Sequence, residues 1–105
     1  MGIGIIKSTN AGFFSNFRGT IYTFHKCNQL GVKPYVQWNR GLYYDVNKGP
    51  NCWEYYFEQI GDINDKDRIN LSHDMSWNRK EITRERSNEL IKQYVKIKPH
   101  IKFIS

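Results

Sequence analysis

The sequence predicts an α/β fold: one βαβ unit followed by a helix near the C-terminal end. Three patterns point there. A short β-branched run carries Ile3, Ile5 and Ile6. A helical repeat of Phe17, Ile21 and Phe24 follows a loop of small residues, and a second alternating run begins at Lys33. Strand, helix and strand within roughly forty residues form a βαβ unit, which is ordinarily right-handed.

Each element has its own signals. The first strand is bounded by Gly2 and Ser8. Ser15 or Asn16 is placed to cap the helix that follows, and Gly31 is a natural left-handed terminator with Pro34 soon after it. In the second strand, over 33–39, Tyr35 and Val36 fall on opposite faces. Residues 40–60 mix Gly41, the turn Asn47-Lys48-Gly49-Pro50 and many aromatics, and read as loop with short turns. Residues 61–67 are polar and acidic, a surface connection. A last helix is expected to begin near Asn78, with Glu81 three residues on as in a capping box. Its apolar stripe is Ile82, Leu90, Ile91, Tyr94 and Val95, over about four turns. Lys92, Lys96 and Lys98 gather at the end where the macrodipole favours cations, and Pro99 stops the helix.

A chain of 105 residues is a single domain. Its 39% hydrophobic and 15% aromatic content suffices for a core and excludes a disordered chain. The net charge of +6 is unevenly placed: residues 1–52 hold six basic side chains and one acidic, whereas 53–105 hold ten basic and nine acidic. A positive field around the first loop draws anionic ligands; a basic surface without a specific partner is the plain alternative. Cys27 and Cys52 are too few for a disulfide framework or a metal cluster, and read as reduced, buried thiols of a cytoplasmic protein. No apolar run reaches the roughly eighteen residues of a membrane span. Lys7 follows the first apolar run, the reverse of a signal peptide's order. His25, His73 and His100 lack metal-ligand spacing, so no metal site is expected.

The loop Gly12-Phe13-Phe14-Ser15-Asn16-Phe17-Arg18-Gly19 joins the first strand to the first helix. Such junctions present backbone N–H groups to phosphate in α/β proteins. With Leu42-Tyr43-Tyr44 and the block Trp53-Glu54-Tyr55-Tyr56-Phe57-Glu58, in that order, the loop resembles the N-terminal part of fucosyltransferase-like glycosyltransferases of the GT-B class. The segment Ile91-Lys92-Gln93-Tyr94-Val95-Lys96-Ile97-Lys98-Pro99-His100-Ile101 resembles that family's linker helix.

The resemblance spans nearly the whole chain. It implies a partial Rossmann-like domain, the GT-B N-terminal half, over residues 1–105. It implies metal-independent transfer of fucose or a related sugar from a GDP-sugar to a glycan acceptor, with no further cofactor. By the same resemblance Phe14, Ser15 and Asn16 lie against the donor diphosphate, and Arg18 adds positive charge nearby. The family's His-x-Arg-Gly-type motif, whose Arg balances the leaving diphosphate, lies on a strand after the linker helix; Ser105 comes before it. A truncated half, inactive alone, is therefore expected, its partner being a missing C-terminal half.

The residues also carry plainer readings. Asn16 is equally placed as an ordinary helix cap. Tyr43 and Tyr44 offer ring faces to a sugar, or form core and rim of the second strand; Trp38 is expected in the core. Trp53, Tyr56 and Phe57 are expected to be structural. Glu54 and Glu58 form an i, i+4 pair if their block is helical. Glu54 is then a candidate to take a proton from an acceptor-sugar hydroxyl, or else a solvated surface carboxylate. Two other functions fit the composition. One is a basic, aromatic module that binds single-stranded nucleic acid. The other is a non-catalytic interaction protein that self-associates through an uncovered face.

Overall fold

A computed structural model describes residues 2–10, 12–40, 45–64, 66–71 and 82–99. The elements run β1 (Ile3–Lys7), α1 (Phe13–Leu30), β2 (Lys33–Gln37), a 3-10 turn (Val46–Lys48), α2 (Trp53–Tyr56), β3 (Arg68–Asn70) and α3 (Arg84–Tyr94). The sheet is parallel in the order β2-β1-β3, with Ile3 opposite both Lys33 and Arg68. The α/β expectation and the βαβ unit hold. The third strand is an addition, because residues 61–67 lead into β3 and not simply into a surface connection.

β1 is central, and its apolar run is buried on both faces as a parallel strand requires. Ile6 and Val36 face the helices and join one core cluster with Ile21, Phe24 and Cys27 of α1 and Leu90 of α3. Ile3 and Ile5 are buried on the other face. Helix α1 ends where Gly31 takes a left-handed φ of 70° and its N–H bonds to the Asn28 carbonyl, as glycine permits. Its start differs from the expectation. Gly12 is the N-cap and no side chain caps the helix, so neither Ser15 nor Asn16 does so. Helix α3 begins at Arg84, where the Thr83 side chain accepts from the Arg86 N–H. The capping box expected at Asn78 and Glu81 lies outside the described residues.

Residues 51–60 do more than turn the chain. They close the outer edge of β2, which would otherwise offer unpaired backbone groups to another strand. Pro34 has no N–H to leave open there. The Gln59 carboxamide bonds both polar groups of Val36: the Val36 N–H donates to Oε1 at 3.0 Å, and Nε2 donates to the Val36 carbonyl at 2.9 Å. The Asn51 carboxamide takes the Trp38 N–H at 2.9 Å and donates to the Val36 carbonyl at 2.7 Å. The Cys52 N–H then donates to the Trp38 carbonyl at 2.7 Å. Glu54 Oε2 accepts from both carboxamides, at 3.0 Å from Asn51 and 2.8 Å from Gln59, and so fixes their orientation. The chain runs so close to β2 that a side chain at Gly61 would place its Cβ 2.7 Å from the Pro34 carbonyl oxygen.

Trp53 anchors this segment. Its ring packs 4.4 Å from Phe57, 5.2 Å from Trp38 and 6.2 Å from Phe24 by centroid. The stretch after α2 also pairs antiparallel with the stretch after α3, through Glu58 N–H to the Lys96 carbonyl and Lys98 N–H to the Tyr56 carbonyl. Trp38, Trp53 and Phe57 are core residues, in line with the sequence.

Candidate functional site

The order β2-β1-β3 means that the chain leaves β1 toward one side of the sheet and later returns on the other. In open parallel sheets that reversal leaves a crevice at the carboxyl ends of the strands, where ligands bind. Here the carboxyl end of β1 is Lys7, followed by the loop through Ser8, Thr9 and Asn10 to Gly12.

Two side chains hold this loop. Ser8 is buried; its Oγ donates to the Arg40 carbonyl at 2.8 Å and accepts the Arg40 N–H at 2.9 Å. That hydroxyl therefore ties the exits of β1 and β2 together. Asn16, 3% exposed, reaches back from α1 to the loop. Its Oδ1 accepts the Thr9 N–H at 2.8 Å and its Nδ2 donates to the Thr9 carbonyl at 3.3 Å. Asn16 thus forms a bridge with one loop residue, and positions the loop instead of capping the helix.

Helix α1 has 18 residues, no acidic residue in its first turn and no side-chain cap. The first N–H groups of a helix lack intrahelical acceptors, and the macrodipole adds partial positive charge there. Phe14 and Ser15 bring two such groups, on exposed residues. Lys7 at the end of β1, Arg40 beyond β2 and Arg18 in the second turn are exposed cations on the segments around this end. The arrangement can hold an anion by backbone N–H groups and diffuse positive charge.

The structure brings Phe14, Ser15, Asn16 and Arg18 together at the start of α1, but with different roles. Asn16 is buried, whereas Phe14 is 81% exposed with its ring edge-on to Phe13. Phe14 and Arg18 line a groove of about 270 Å³ between α1 and α3, with Tyr22 and Ile91. Tyr43 and Tyr44 lie outside the described residues. Glu54 sits on α2 and serves the β2 edge, and the chain turns extended at Phe57, so Glu54 and Glu58 do not share a helix. Ser8, Thr9, Lys7 and Arg40 were not singled out from sequence. The adjacent hydroxyls directly after a buried strand were the available signal for the first two.

Burial pushes the Cys27 thiol up to about 12 and raises that of Cys52, so both stay protonated. Burial also raises the Tyr35 phenol, with the Glu54 carboxylate adding to it. Among the described residues no group of His, Cys, Asp and Glu could hold a metal ion. Among the same residues, no helix is long and apolar enough to cross a membrane. No family model, curated protein or solved structure matches the chain.

Proposed function

We propose that this chain binds the diphosphate of a nucleotide sugar at the carboxyl end of β1, in the manner of the N-terminal part of a fucosyltransferase-like glycosyltransferase. The observation that carries it is the cross-tied turn at the sheet's reversal point, Ser8 to Arg40 and Asn16 to Thr9, leading into an uncapped helix without acidic residues in its first turn. Phosphate oxygens fit the Phe14 and Ser15 N–H groups, and Arg18, Lys7 and Arg40 supply the field that draws them in. Asn16 acts as a positioning residue. The choice of GDP-fucose as donor rests on the loop and aromatic block described from the sequence.

Calorimetric titration of the whole chain with GDP and GDP-fucose tests this. Binding is expected at a Kd of about 1 mM or tighter, weakening as salt is raised. Arg18→Ala removes one exposed charge contact, of about 1 kcal/mol, and weakens both ligands about fivefold. Folded protein that takes up neither ligand at low salt overturns the proposal.

A further inference from the structure

The groove of about 270 Å³ between α1 and α3 begins at Phe14, the residue whose N–H also opens the phosphate site. Phe14, Arg18 and Tyr22 are spaced four apart and form one row along α1, about 12 Å from first to last. Ser87 and Ile91 line the same groove from α3. Helix side chains lean toward the N-terminus of their own helix, which carries the Phe14 ring toward the end of α1 where its N–H is offered. We propose, resting on the diphosphate site described above, that the base of the bound nucleotide stacks on the Phe14 ring in this groove.

Phe14 is the most exposed large apolar side chain among the described residues, at 81%. A single exposed apolar residue is ordinary, but this one has a fixed support. Its neighbour Phe13 stacks on Phe17 at 6.1 Å and stands edge-on to Trp38 and Tyr56 at 5.6 and 5.8 Å, so three rings hold it. Phe14 meets Phe13 at 5.6 Å and 87°, a perpendicular contact that leaves most of Phe14 bare. An open ring on a rigid support is a stacking platform, and stacking serves any base because each has a π face.

The size and the polar groups of the groove favour a base over a hydrocarbon chain. Pockets that enclose a whole ligand run to roughly 300–1,000 Å³; about 270 Å³ suits one ring system with the rest of the molecule outside. Arg18, exposed one turn after Phe14, carries guanidinium N–H groups that match the ring nitrogens and carbonyls of a base. Tyr22 and Ser87 bring hydroxyls, each able to donate and to accept. A hydrocarbon chain uses none of these groups. A nucleotide uses them with its base and keeps its phosphates on the Phe14 and Ser15 N–H groups. Phe14 then serves it twice, through its N–H and through its ring.

Calorimetric titration of the whole chain and of Phe14→Ala, each with GDP and with inorganic pyrophosphate, tests the stacking. Alanine keeps the backbone N–H and favours helix, and Phe14 is exposed, so the variant keeps the fold. GDP is expected to bind Phe14→Ala about tenfold more weakly than wild type, the loss of one base–aromatic stack. Pyrophosphate, which has no base, is expected to bind both equally. Phe14→Trp restores a stacking face and should return GDP affinity to that of the wild type. By amide-resolved NMR, GDP is expected to shift Ser87 and Ile91 on α3, and pyrophosphate to leave them in place. Unchanged GDP affinity in Phe14→Ala overturns the stacking while the phosphate site stands. So does an equal loss for GDP and pyrophosphate. Failure of both ligands to bind the wild-type chain overturns the phosphate site, and the stacking with it.

Discussion

Replacing Asn51 with leucine is expected to destabilise the fold by about 3 kcal/mol or more and to lower Tm by about 10–20 °C. Asn51 is 7% exposed, and all four of its hydrogen-bonding positions are used. Oδ1 accepts the N–H groups of Trp38 and Trp53, at 2.9 and 3.2 Å, and Nδ2 donates to the Val36 carbonyl and to Glu54. Leucine takes the Oδ1 acceptor from the Trp38 and Trp53 N–H groups, while the Val36 carbonyl and Glu54 keep their bonds from Gln59, and each orphaned buried group costs about 1–3 kcal/mol. Gln59→Leu is the milder change, because Gln59 Oε1 accepts one strand N–H, that of Val36, where Asn51 Oδ1 accepts two from tryptophans. The Asn51 variant also opens the β2 edge, so concentration-dependent association is expected alongside the loss of stability. Urea unfolding at two protein concentrations checks both effects. A midpoint within error of the wild type would show that the carboxamide clamp does not hold the edge.

Trp53→Ala is expected to cost about 3–5 kcal/mol, in the range for removing a large buried aromatic. Trp53 is fully buried where four aromatic rings meet: those of Phe17, Phe24, Trp38 and Phe57. Its Nε1 also donates to the Glu58 carbonyl at 3.3 Å. Alanine leaves a cavity that flat rings on different elements cannot readily collapse. A domain of this size has total stability of about 5–15 kcal/mol, so the variant is expected to populate unfolded chain at room temperature or be close to it. Trp53→Phe keeps most of the buried surface and should recover the larger part of the loss. Denaturant midpoints of the two variants give the comparison. Equal losses for alanine and phenylalanine would mean that the indole N–H, and not packing, dominates.

Both residues belong to the segment least legible in the sequence. β1 and the end of α1 were readable because apolar periodicity and a left-handed glycine are local signals. The edge closure was not. Asn51 and Gln59 act through side-chain to backbone bonds across 13 to 23 residues of chain, with Glu54 orienting both carboxamides, and such bonds follow no period. β3 escaped for a related reason. Arg68, Ile69 and Asn70 are all exposed, so no alternation marks them, and only pairing with β1 makes them a strand. At the candidate site, the sequence places Phe14 to Arg18 in a loop and cap after the first strand, whereas α1 begins at Phe13 and they form its first two turns. Asn16 was misassigned as a possible cap because its chemistry, a carboxamide seeking a nearby N–H, serves a cap and a loop tie equally well. Ser8 and Arg40 were missed because they meet only when β1 and β2 lie side by side.

An amide-resolved NMR titration of the intact chain with GDP tests the central claim most directly. Diphosphate binding at the carboxyl end of β1 predicts the largest shifts at Thr9, Phe14, Ser15 and Arg18, saturating together and weakening with salt, while Gly31 and Gly61 at the far end of the sheet stay fixed. Saturable shifts centred elsewhere, or none in a sample whose dispersed spectrum proves it folded, would contradict a phosphate site at the β1–α1 turn.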